Sequence, residues 1–150
     1  MSQTLQYAVC QHLLGVLQAS PLLGDAPVRI GRRRPMPNGV DSQVSVYYDE
    51  SRSGSGGPSS LTATMWSTRV RVECSARDAA GTPAETAADA LVSAVFERVM
   101  AEQTCGGLAI QINAVGIATD GDEADTALCA MHALFDVVHR TPRASITHTP

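Results

Sequence analysis

With 150 residues, 44% of them hydrophobic, and a formal charge of −4, the chain reads as one domain that can remove roughly 70% of its unfolded surface from water. A core is therefore available without disulfides or metal, and the acidic balance, with a pI near 5.4, argues against a protein whose main task is gripping phosphates. No apolar run approaches the ~18 residues of a membrane span, and the start MSQTLQ lacks the basic end and apolar stretch of a signal peptide, so a soluble cytoplasmic product is expected.

The spacing of Leu5, Val9, Leu13, Val16 and Leu17, with Gln11 and Gln18 opposite, predicts a helix over residues 3–19 that stops at Ser20-Pro21. Tyr7 and Leu14 fall off that stripe; they read either as ordinary exposed apolar residues or as contacts with a neighbouring subunit. A short strand over 28–30 leads into Gly31-Arg32-Arg33-Arg34-Pro35. Three adjacent guanidinium groups suit a solvated loop or a surface that pairs with a partner's carboxylates better than a phosphate site.

Residues 44–48 alternate as a strand, and so do 66–74, which put Trp66, Val70, Val72 and Cys74 on one face and Arg69, Arg71 and Glu73 on the other. The Gly/Ser-rich stretch between them, 49–60, is expected to be a flexible loop that could order on assembly. Its Gly54-Ser55-Gly56 is not the GxSxG of a nucleophile elbow, and Gly56-Gly57 lacks the Lys-Ser/Thr of a phosphate loop.

Thr82, Pro83 and Glu85 form a Thr-x-x-Glu capping box opening a second helix, with Ala84, Ala88, Leu91, Val92, Val95 and Val99 as its buried stripe and Asp89, Ser93 and Glu97 in water. Gly106-Gly107 turns the chain into a strand over 108–117, with Ile110, Ile112 and Ala114 on one face. Residues 128–139 are apolar on both parities, which predicts a strand covered on both sides, within one chain or by a second subunit. Leu13, Val16, Trp66, Val70, Val72, Leu91, Val95, Ile110, Ile112, Leu134 and Val138 are the expected core. The fold class that results is α+β: a single domain with a mainly antiparallel mixed sheet and two principal helices packed on one face.

Sites for chemistry are scarce. Cys10, Cys74, Cys105 and Cys129 contain no CxxC pair and read as reduced structural thiols. His132 and His139 should point to opposite faces of a strand, so structural or surface histidines are favoured there and at His12 over a zinc site. His148 falls in a tail, 142–150, expected to fray. The acidic run Asp120, Asp122, Glu123 and Asp125 fails the calcium-loop test, because Ala124, Asp125 and Met131 occupy the fifth, sixth and twelfth positions. It reads as a solvated turn, or as a charged contact across a subunit interface. Neither a catalytic group nor a cofactor is indicated.

The short first helix, the Gly-Arg-Arg-Arg-Pro turn, the capped Ala-rich helix, "TCGGLAIQI" at 104–112 and the closing "LFDVVHRT" at 134–141 resemble the tail-terminator family of long-tailed bacteriophages, the group of minor tail protein U and related tail-completion proteins. The resemblance runs from Leu5 to Thr141, with His139 standing where Tyr is commoner. It implies a non-enzymatic virion protein: a homohexameric ring on the last ring of tail tube protein that ends tube growth and joins a head or neck connector protein. DNA would cross the ring without specific binding, no membrane would be involved, and assembly would take place in the host cytoplasm. Arg32, Arg33, Arg34, Asp120, Asp122, Glu123, Asp125, Tyr7 and Leu14 are then the candidate interface residues. Another neck or head-completion ring protein is the nearer alternative, and a small cytoplasmic enzyme the more distant one.

Overall fold

The computed structural model describes residues 2–31, 36–54, 61–120 and 127–148. In chain order its elements are β1 (Gln3–Thr4), α1 (Leu5–Gln18), β2 (Val28–Ile30), β3 (Ser42–Ser53), β4 (Ala63–Arg77), α2 (Ala84–Met100), β5 (Gln111–Asp120), β6 (Leu128–Pro142) and β7 (Thr147–His148), with 3₁₀ turns at Pro21–Leu23 and Cys105–Gly107. Five strands form one sheet in the order β2-β3-β4-β6-β5, in which only the β2–β3 pair is parallel. The remaining two, β1 and β7, pair antiparallel and tie the two ends of the chain together.

The long central strands β4 and β6 pair from Ala63 opposite Pro142 to Arg77 opposite Leu128. Their alternation decides what each face of the sheet does. Val70, Val72 and Cys74 on β4, with Ala133, Phe135 and Val137 on β6, turn to the face that carries α1 and α2 and join Val9, Leu13, Leu17, Val92, Val95 and Val99 in one core. The result is an α+β domain with both principal helices on one face of a mainly antiparallel sheet, as the periodicities predict.

Several placements differ from the sequence expectation. Leu13, Val70, Val72, Val95, Ile112 and Val138 are buried, but Val16, Trp66, Leu91 and Leu134 are only half-buried. Ile110 is 54% exposed, because β5 starts at Gln111, three residues later than expected, and its pleat does not include Ile110. Glu73, on the face away from the helices, is buried rather than solvated. The chain entering β3 covers part of that face: Met36 is buried, and its carbonyl accepts a hydrogen bond of 2.9 Å from the Arg77 side chain.

The helix ends also carry a correction. α1 is capped by Thr4, whose hydroxyl accepts from the Tyr7 N–H. In α2 the N-cap position falls on Pro83 and the Thr82 capping box does not form. Thr82 instead bridges Ala79, and the Asp78 carboxylate, six residues upstream, accepts the first free N–H of the helix, that of Ala84, at 2.7 Å. Residues 49–53, expected to begin a flexible loop, continue β3 beyond an irregularity between Tyr48 and Glu50. Of the tail, Pro142 belongs to β6, and Thr147 and His148 pair with β1.

Candidate assembly surfaces

Two built polar constellations lie inside the protein. On the helix side, Gln6 at the start of α1 donates to Ser51 Oγ at 3.3 Å, Ser51 and Thr68 share a hydrogen bond of 2.7 Å, and Thr68 Oγ1 lies 2.7 Å from His139 Nε2. Gln6, Ser51, Thr68 and His139 thus form one hydrogen-bonded chain, and the other ring nitrogen of His139, Nδ1, is buried with no hydrogen-bond partner among the described residues. Burial pushes the His139 pKa down to about 4. On the open side, Glu73 receives hydrogen bonds from the hydroxyls of Tyr47 at 3.4 Å and Ser75 at 3.5 Å, and lies 3.6 Å from His132 Nδ1. Glu73, Ser75 and His132 are all closed to solvent, so the group is placed to hold strands together rather than to meet a substrate. His132 and His139 do occupy opposite faces of β6, as their spacing predicts.

A third constellation organises the double-glycine turn. Glu102 accepts hydrogen bonds from the Thr104 hydroxyl, the Gly106 N–H at 3.0 Å and the Thr104 N–H at 2.7 Å, and approaches His12 Nε2 on α1 at 3.6 Å. Those donors, the Thr104 hydroxyl first, lower its pKa to about 2. The two perturbed groups lose stability in separate pH windows. His139 takes up a proton in the unfolded chain below about 6.5 but in the native protein only near 4, so native stability falls with acidification across that interval. Glu102 is held ionised by folding, and its contribution fades from the ordinary carboxylate value of 4.5 toward about 2. Denaturant titrations across pH should show His139→Gln flattening the upper window and Glu102→Gln the lower one. Indistinguishable profiles for wild type and variants would refute the two assignments.

Part of the surface charge is paired. Arg69 forks Asp136 through two bonds of 2.9 Å, Arg71 meets Asp49 at 2.8 Å and Arg52 meets Glu50 at 2.8 Å; exposed pairs of this kind contribute little to stability. No cluster of His, Cys, Asp or Glu suited to a metal ion occurs among the described residues. Cys10, Cys74 and Cys105 are buried thiols raised to about 12 by desolvation, which leaves them poor nucleophiles. Among the described residues no helix is long and apolar enough to cross a membrane.

The candidate interface residues are spread across the fold. Tyr7 stands on α1, 38% exposed, beside a small apolar hollow of about 200 Å³ that it lines with Cys10, Ile30, Gly31, Tyr47 and Tyr48. Leu14 is half-buried and packs against the core. Asp120 ends β5 at the opposite edge of the sheet. Arg32, Arg33, Arg34, Asp122, Glu123 and Asp125 lie outside the described residues, as do 55–60 of the expected loop. Exposed apolar side chains that the sequence reading did not assign to a surface, Val115 and Ile117, lie on β5. No local signal marks them: an uncharged strand over 111–119 reads as one inside a sheet, and the edge position comes from the strand order.

The architecture is that of a small α+β domain with two unlike sheet edges. No protein-family model matches the sequence, and none of the curated proteins matches it. Among solved structures, a chain from the virion of a native gene transfer agent particle is similar at 20% sequence identity and a TM-score of 0.62, covering 92% of this chain and 96% of that one. The two share a fold nearly end to end. A chain from an extracellular contractile injection system, in the structure of its sheath/tube terminator in the extended state, is 12% identical with a TM-score of 0.42, over 100% of this chain and 62% of that one. That likeness is too loose to carry weight.

Proposed function

We propose that this chain is a structural virion subunit that closes into a ring on the end of a phage-type tail tube, stops its growth and offers its far side to the neck of the head. The end-to-end fold match with a chain of a gene transfer agent virion is the observation that carries the reading, and the sequence resemblance to tail terminators points the same way. Six copies, the tail tube protein and a head or neck connector are the partners this role implies, with assembly in the host cytoplasm and residence in the virion. DNA would pass through the hole. An acidic chain of charge −4 suits that passage, because neutralising many phosphates would hold the duplex with steeply salt-dependent affinity.

Electron microscopy of particles made without this protein tests the role. A tail terminator predicts tails of uncontrolled length, whereas tails of normal length on empty or leaking heads would assign the protein to the neck. Normal infectious particles would remove it from the virion altogether.

A further inference from the structure

The two edges of the five-stranded sheet are complementary in shape and charge. One transverse row of paired residues runs Ile30–Val46–Val72–Ala133–Ile117, from β2 to β5. Both ends of that row are on the helix side of the sheet. At the β5 end the helix layer is missing, since α2 packs on β4 and β6, and Ile117 stands 52% exposed. At the β2 end the same row opens into the apolar hollow walled by Ile30, Tyr7 and Tyr48, which is large enough for a branched aliphatic side chain.

Charge follows the same geometry on the open side of the sheet. The adjacent row, Arg29–Ser45–Glu73–His132–Ala118, begins at an exposed Arg29 with no ion-pair partner among the described residues. It ends two residues from Asp120, on the same face of β5. If copies stand edge to edge with rows aligned, a flexible Arg29 reaches the Asp120 carboxylate of its neighbour. The contact is made by side chains rather than by a long added ladder, because β2 has three residues and Gln18 already donates to its Val28 carbonyl at 3.1 Å.

We propose that neighbouring copies of this chain meet sheet edge to sheet edge, with Ile117 of one copy seated in the Tyr7–Ile30–Tyr48 hollow of the next and Arg29 paired with Asp120 across the seam. The occupant is a second copy, since the knob, the hollow and both charges occur on one chain at opposite edges. Two different patches meeting head to tail generate a ring where the rotation closes, and covering β5 removes an edge otherwise open to wrong pairing. This contact rests on the ring reading above.

A chain carrying both Ile117→Cys and Tyr48→Cys, treated with a short bis-maleimide, should give covalent multimers climbing past the dimer, while each single variant stays a monomer on a denaturing gel. The four native thiols, three of them buried, make the unsubstituted chain the control. Dimers from Ile117→Cys alone would mean that β5 meets β5 and overturn the proposal. No ladder from a protein that light scattering reports as a ring would overturn the edge contact and leave the ring standing; a monomer at every concentration would overturn both. Independently, Ile117→Asp should weaken self-association by about tenfold or more, as losing a central interface anchor does, with an unchanged thermal midpoint because the side chain is exposed. Undiminished assembly of that variant would also refute the seam.

Discussion

Replacing Phe135 by alanine should cost about 3–5 kcal/mol of folding stability, the largest loss expected from any single side chain in this protein. Phe135 is the largest fully buried side chain, at 0% exposure in the middle of β6, and its ring packs tilted against Phe96 of α2 with centroids 5.9 Å apart. It sits between Val70 on β4 and Ala114 on β5. Its removal therefore empties the place where three strands and a helix converge, and rigid strands on both sides cannot collapse to fill it. Domains of this kind have only about 5–15 kcal/mol in total, so urea denaturation should show a much lower midpoint, or an unfolded protein at 37 °C. A loss under about 1 kcal/mol would mean that the site relaxes and that this packing is not the fold's keystone.

Phe135 also shows what was legible beforehand. Residues 128–139, apolar on both parities, are expected to be covered on both faces; α2 covers the face that carries Phe135, whereas Leu134 on the other face is half-buried. The stripes of α1 and α2 were readable for the same reason: a 3.6-residue period records the direction of the core. It does not record where the layer ends, which is why Val16 and Leu91 prove half-buried. Parity placed Glu73 on the face away from the helices, and that is where it lies. Its burial depends on Tyr47, Ser75 and His132 arriving from other strands or two residues away, contacts that no local pattern encodes.

The surface was less legible than the core. Tyr7 belongs to a hollow whose other walls come from β2 and β3, so its neighbours were invisible on the helix alone. Val115 and Ile117 looked like ordinary members of an apolar strand; only the sheet order, with β5 outermost and no helix above it, turns them into exposed residues. Long-range polar partners were equally hidden. Asp78 caps α2 from outside the capping-box offset, and Gln6 finds Ser51 on a strand 45 residues away.

Gly106→Ala should destabilise the protein by about 1–3 kcal/mol, through two separable terms. Gly106 has φ +62° and ψ 25°, a left-handed conformation that disfavours alanine by roughly 1 kcal/mol. A Cβ there would also lie 2.9 Å from His12 Cε1 and 3.3 Å from Nδ1. The His12 ring can yield only by moving from its place beside Glu102, the carboxylate that holds the turn. Gly107→Ala meets no atom within 4 Å of its added carbon, but its φ of +93° lies outside the left-handed well that Gly106 occupies, so its loss reports backbone strain of a different size. The imidazole contact is read as a coupling energy in a double-mutant cycle: Gly106→Ala should cost less in a His12→Ala background than in the wild type. An equal loss from Gly106→Ala in both backgrounds would show that the imidazole contact contributes nothing. The turn matters beyond its own stability: Ala109 N–H bonds back to Thr104 and Ile110 N–H to Val138, both at 2.8 Å, so the glycine pair sets where β5 begins. A one-residue slip there would reverse every side chain of β5, carrying Ile117 to the open face and away from the row that ends in the Ile30 hollow. Gly106→Ala should thus weaken self-association more than its loss of folding stability alone accounts for, and association equal to wild type at matched folded fraction would break that link between turn and edge.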